Sequence, residues 1–194
     1  MKKIMIVPFV LLIGGFVSAQ TFQFGPKAGI NVSNFSSGYD NSSRIGVNLG
    51  GFVSFAAGKY FALQPEVVFS TEGAKLADAR TQYKDLKVNY LNIPVLAQLR
   101  TNGGLYLETG PQVGLLLNAI RAKDGGDDET VKDLYNSIDW SWVFGVGFRS
   151  KFGLGLDARY NLGLTKLGKN INDFNTDAKT SVVQIGLFFA IGPH

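Results

Sequence analysis

The chain contains no cysteine, so neither a disulfide framework nor an N-terminal cysteine carrying a lipid is available to it. Histidine is almost as scarce: the only one is His194, the final residue. Acid–base or nucleophilic chemistry of the histidine-dependent kinds would have to run through that one terminal side chain. A transition-metal centre built from Cys and His ligands is excluded by the same count. No enzymatic activity, catalytic residue, bound metal or other cofactor is therefore expected.

The first residues are organised differently from the rest. Lys2 and Lys3 precede an apolar run from Ile4 to Phe16, and Val17-Ser18-Ala19 follows, which are the three parts of a secretory signal. Pro8 interrupts the run, and the run falls short of the roughly 20 residues of a spanning helix. Cleavage is expected between Ala19 and Gln20, with residues 1–19 as the signal peptide and 20–194 as one domain. Loss of Lys2 and Lys3 takes the net charge from +4 to about +2, a balance that does not indicate nucleic acid as a partner.

What the chain does have is 24 Gly, 15 Phe and 7 Tyr, with aromatic and β-branched residues spread along its length, the composition of an all-β domain. Eight segments alternate with a period of two. In the first, Phe22, Phe24, Ala28, Ile30 and Val32 oppose Gln23, Gly25, Lys27, Gly29 and Asn31; in the last, Val183, Ile185, Leu187, Phe189 and Ile191 oppose Gln184 and Gly186. Tight turns at "AAGK", "TNGG" and "SKFG" alternate with long polar stretches at 33–43, 71–87, 119–138 and 166–179. This is the pattern of an eight-stranded antiparallel up-and-down β-barrel whose two ends face different compartments.

The faces indicate which solvent lies outside. Across all eight segments the apolar face carries no Asp, Glu, Lys or Arg, as a transmembrane barrel requires, because Arg or Lys facing lipid at the midplane costs roughly 2–4 kcal/mol. The other face is mostly Gly, Ser, Asn and Gln with a few charges, which suits a narrow lumen. A soluble, lipocalin-like lipid binder would reverse the two faces. Trp140, Trp142, Phe22, Phe24, Phe55, Phe61, Phe69 and Tyr160 are candidates for aromatic girdles. Pro65, Pro94 and Pro111 fall inside expected strands, where each should mark a bulge or a defect in the ladder.

Five segments, "GPKAGINVSNF", "LQPEVVFSTEGAK", "YLNIPVLAQLR", "LYLETGPQVGLLL" and "GLDARYNLGLTKL", resemble in order and spacing the PorT-like outer membrane protein beta-barrel family, small porin-like barrels of Gram-negative bacteria. The resemblance implies an outer-membrane location with lipid around the wall. It also implies periplasmic chaperones and the barrel-assembly machinery as partners during biogenesis, and an extracellular or envelope protein partner of unknown identity. The ending "AIGPH" departs from the terminal aromatic residue common in that family.

Glu66, Arg100, Glu108, Arg149, Asp157 and Arg159 all lie on the inner face. In a bore that eight strands leave barely filled, an unpaired charge is costly and a paired one tolerable. The expectation is an ionic network centred on Glu108, Arg149 and either Asp157 or Arg159. The acidic run with Asp124, Asp127, Asp128 and Glu129 lacks the regular spacing of a calcium loop and reads as a solvated loop tip. Together these features suggest a structural or interaction protein with a plugged lumen, acting through four long extracellular loops. The alternative is a narrow channel for ions or small solutes.

Overall fold

The computed structural model describes residues 21–35, 41–76, 83–123, 129–130, 136–165 and 180–193. The strands are β1 (Thr21–Phe35), β2 (Asn41–Ala57), β3 (Phe61–Leu76), β4 (Tyr83–Arg100), β5 (Leu105–Lys123), β6 (Glu129–Thr130), β7 (Ile138–Arg149), β8 (Leu154–Gly163) and β9 (Thr180–Phe189). Eight of them form a closed antiparallel barrel, in which each pairs with its chain neighbours and β1 pairs with β9 from Lys27↔Phe188 to Phe35↔Thr180. The two-residue β6 only extends the far end of β5, through Ile120↔Thr130 and Arg121↔Glu129. No helix occurs among the described residues.

The wall is apolar outside and polar inside, the reverse of a soluble barrel. Ile45, Leu107 and Leu187 are 72%, 59% and 55% exposed, whereas Glu66 and Arg159 are 2% and 4% exposed. Along β8 burial alternates strictly from Leu154 to Gly163, as a period-two strand with two different solvents demands. Phe22, Phe24, Phe61, Phe69, Trp140, Trp142 and Tyr160 all point outward.

One sequence expectation changes here. Polar stretches 33–43 and 71–87 are strand over most of their length, and 119–138 over most of its described part: β1 runs to Phe35, β2 starts at Asn41, β3 runs to Leu76, β4 starts at Tyr83 and β5 runs to Lys123. Loss of apolar alternation marks where the outer face leaves lipid, but backbone pairing needs only a neighbouring strand, so the ladder continues beyond it. The 166–179 stretch lies outside the described residues.

The prolines do interrupt the ladder, but they do not shift it. Pairing lapses between Phe52↔Glu66 and Phe55↔Leu63 beside Pro65. It lapses again between Pro65↔Val95 and Val68↔Asn92, and between Pro94↔Gln112 and Ala97↔Thr109, and resumes in register each time. A missing N–H removes one bond from the ladder and leaves the strand extended. The register shifts fall elsewhere, between Ser43 and Asn48 on β2 and near Tyr83 and Asn89 on β4. At the β2 shift the Thr71 hydroxyl accepts from Val47 N at 2.8 Å and donates to Val47 O at 3.2 Å, taking the place of a ladder partner.

All three short turns carry a glycine with φ in the left-handed region: Gly58 (79°), Gly104 (90°) and Gly153 (96°). A Cβ on Gly104 or Gly153 would also stand 2.2 Å from Arg149 O or 2.3 Å from Ala190 O. The turns at Gly104 and Gly153 therefore need glycine both for conformation and for space, and that at Gly58 for conformation alone.

Candidate functional site

Arg159, projecting inward from β8, is the hub of the interior. Its Nη1 and Nη2 each donate at 2.7 Å to the two oxygens of Glu66 on β3, and its Nε donates at 2.6 Å to Glu108 Oε1 on β5. The planar fork of a guanidinium suits this, because one edge grips a carboxylate bidentately while Nε remains for a second. Lys27 on β1 adds a further link, donating to Asp157 Oδ2 at 2.5 Å, with Glu66 Oε2 3.9 Å away. Strands from opposite sides of the barrel are thus joined through their side chains.

Amides finish the carboxylates. Gln64 donates to Glu66 Oε1 at 2.8 Å and Gln98 to Glu108 Oε2 at 2.9 Å. Arg100 enters indirectly: its Nε and Nη2 donate to Gln98 Oε1 at 3.0 and 2.5 Å, and Nη2 also reaches Ser54 Oγ at 2.6 Å. Two cations and three carboxylates, each almost fully buried, are tolerated in a low dielectric only because nearly every oxygen has a donor. Asp157 Oδ1 is the exception, with no hydrogen-bond partner among the described residues and Arg159 Nε at 3.7 Å.

Arg149 does not join this centre. Its Nη1 donates to Gln23 Oε1, nearer the short turns, because Arg149 is the last residue of β7 and pairs with Gly155, two residues before Asp157. Glu66, Glu108, Asp157 and Arg159 are brought together directly, and Arg100 through Gln98. Ala19, Gln20, His194, Asp124, Asp127 and Asp128 lie outside the described residues, and of Glu129 only the backbone is described.

Lys27 is a member that sequence reasoning does not find. Alternation puts it on the inner face, but nothing in its spacing pairs it with a residue on β8. An apolar layer inside the barrel is missed as well. Phe52, Tyr106, Phe188 and Ala190 form a buried cluster, in which Phe188 meets Phe52 edge-on at 5.6 Å and Tyr106 at 6.3 Å between ring centroids. Tyr106 precedes Glu108 by two residues and Phe188 follows Gly186 by two, so the rings form a layer on the short-turn side of the charges. Each ring lies opposite a glycine: Phe52↔Gly25, Tyr106↔Gly147 and Phe188↔Gly155. That complementarity is the available signal for the layer.

On the other side of the charges lies a ladder of amides and hydroxyls. Asn48 donates to Asn31, Asn31 to Ser70 Oγ at 2.7 Å, and Ser70 to Glu72 Oε1 at 2.9 Å. Gln112 donates to Ser141 Oγ at 3.1 Å.

An apolar exterior, eight closed strands and a charged interior are the attributes of an outer-membrane barrel, and the model of the outer membrane protein beta-barrel domain family matches residues 18–168. The chain belongs to that family. No curated protein matches it. Among solved structures, this outer-membrane barrel is similar in fold to Neisserial surface protein A, with 15% identity, a TM-score of 0.56, and coverage of 89% of this chain and 99% of that one. Ail of Yersinia pestis, crystallised with the heparin analogue sucrose octasulfate, is similar at 17% identity and a TM-score of 0.52, over 88% and 99% of the two chains. OprG of Pseudomonas aeruginosa follows at 12% identity and 0.51, over 91% and 98%. At these identities the likeness concerns the fold.

Proposed function

We propose that this outer-membrane barrel is a non-enzymatic structural or interaction protein whose lumen is plugged and whose long loops carry recognition. The observation that supports the reading is the cross-bore clamp of Arg159 on Glu66 and Glu108, with the ring layer of Phe52, Tyr106 and Phe188 directly beneath it. Above the clamp, the cavity between Glu72, Asn92, Gln112, Asp139 and Asn161 offers only about 10 Å³, space for roughly one water. A permeating ion would have to part buried ion pairs and aromatic rings in succession. Export through a signal cleaved between Ala19 and Gln20, membership of the narrower PorT-like group, and delivery by periplasmic chaperones to the barrel-assembly machinery complete the reading. The partner is an envelope or extracellular protein met by the loops.

Single-channel recording of the purified protein in a planar bilayer tests the plug, and a flat baseline is expected. Discrete, reproducible conductance steps from the unmodified chain would establish the narrow channel instead. Mass spectrometry of the exported protein is expected to find Gln20 as its first residue.

A further inference from the structure

The short-turn mouth differs from the rest of the interior in its charge balance. Deeper in, the buried cations Lys27 and Arg159 are held by carboxylates. At the mouth, among the described residues, the Arg100 guanidinium donates only to Gln98 and Ser54, and that of Arg149 only to Gln23. Neither has a carboxylate within ion-pair distance among the described residues. Both line a cavity of about 680 Å³, with Lys59 and Lys151 on its rim and Gln23 and Asn102 between them, and among the described residues no acidic side chain contributes to its lining. Four cations around one concavity repel one another, a cost that a bound anion removes.

We propose that this mouth is a binding site for a phosphate ester. The guanidiniums of Arg100 and Arg149 grip the phosphate oxygens, since their forked donors match oxyanions and are already positioned by Gln98 and Gln23. Lys59 and Lys151, on exposed turns, supply longer-range attraction and a second shell of donors. A doubly charged phosphate is favoured over a carboxylate because a single negative charge would leave most of the positive charge uncompensated. The cavity falls within the usual size range of small-molecule sites, roughly 300–1,000 Å³. That exceeds what a bare phosphate fills and leaves room for the organic group it carries. The ester is either the phosphomonoester headgroup of a phosphatidic-acid-type lipid folded in from the surrounding leaflet or a soluble phosphate monoester, since both present the same dianionic oxyanion.

Glycerol 3-phosphate, titrated calorimetrically into the full chain folded in maltoside micelles, is the test. Saturable binding that weakens with added salt is expected. Arg100→Gln with Arg149→Gln should weaken it about tenfold or more, as expected for lost charge-assisted bonds. Lys59→Gln with Lys151→Gln should weaken it severalfold; these residues sit on exposed turns, so that pair leaves the interior intact and separates binding from folding. Lys87→Gln, an exposed lysine near the opposite end of β4, should change nothing. Absence of saturable binding at millimolar ester, or equal weakening by Lys87→Gln, overturns the proposal; so does full binding in the Lys59/Lys151 pair. Displacement by short-chain phosphatidic acid identifies the lipid headgroup as the source, and failure to displace identifies a soluble ester.

Discussion

Arg159 is the residue on which the interior depends most. Arg159→Met would strand Glu66 and Glu108 in a dry bore, and removing one partner of a buried ion pair typically costs about 3–5 kcal/mol. Urea unfolding of the variant in micelles should show a loss of that size. Arg159→Lys keeps the charge but not the fork, so it can hold one carboxylate but not two in the observed geometry, and its stability should fall between the other two. Equal stability of all three proteins would show that the clamp contributes nothing. The inner-face position of Glu108 and Arg159 is legible from alternation alone, because period two fixes the face. Which charges meet is not, since that depends on strand tilt and stagger around the closed barrel. Glu66 and Arg159 lie 93 residues apart in sequence, and Arg149, equally plausible by alternation, ends its strand too close to the turn to reach the centre.

At the scale of strands, the ring-over-glycine pairs fix how β1–β2, β5–β7 and β8–β9 pack inside. A Cβ on Gly155 would stand 2.2 Å from Phe188 Cζ, and one on Gly147 2.3 Å from Tyr106 Oη. Gly155→Val should therefore destabilise the barrel by about 1–3 kcal/mol through overpacking, read as a lower thermal midpoint in micelles, while Gly51→Ala, whose Cβ has only Gly25 O at 3.4 Å, should have little effect. On the outer face, Ile185→Arg places a cation in the middle of the apolar band of β9. Refolding into lipid vesicles should lose roughly 2–4 kcal/mol, whereas the same change at exposed Lys87 of β4 should be silent. Strand identity was readable because both solvents impose alternation. Strand ends were not, because Phe35, Leu76 and Lys123 lie where only backbone pairing continues, and no side-chain pattern records it.

For the molecule as a whole, the apolar exterior makes detergent or lipid part of the native state. Transfer of the folded protein into detergent-free buffer should precipitate it, as sedimentation would show, since Ile45, Phe61 and Leu107 belong to a continuous apolar belt far larger than any a soluble monomer exposes. Recovery as a monodisperse soluble species would contradict the membrane reading. Fold class and polarity of the two faces could be read from the sequence, but the ring layer and the cation-lined mouth could not. Both depend on residues from distant strands converging at one height.

The pairing of β1 with β9 also sets an order of events in time. Lys27 lies on the first strand of the barrel, while Phe188 opposite it and Asp157, which takes its proton-bearing end, belong to the last two strands. Until β9 arrives, β1 presents an unsatisfied edge, and until β8 arrives, Lys27 has no carboxylate from it. Water must therefore remain in the nascent interior, and drying of the bore coincides with seam closure. A truncated chain lacking β9 would keep every charged partner of the core but could not seal its wall or exclude water from its centre.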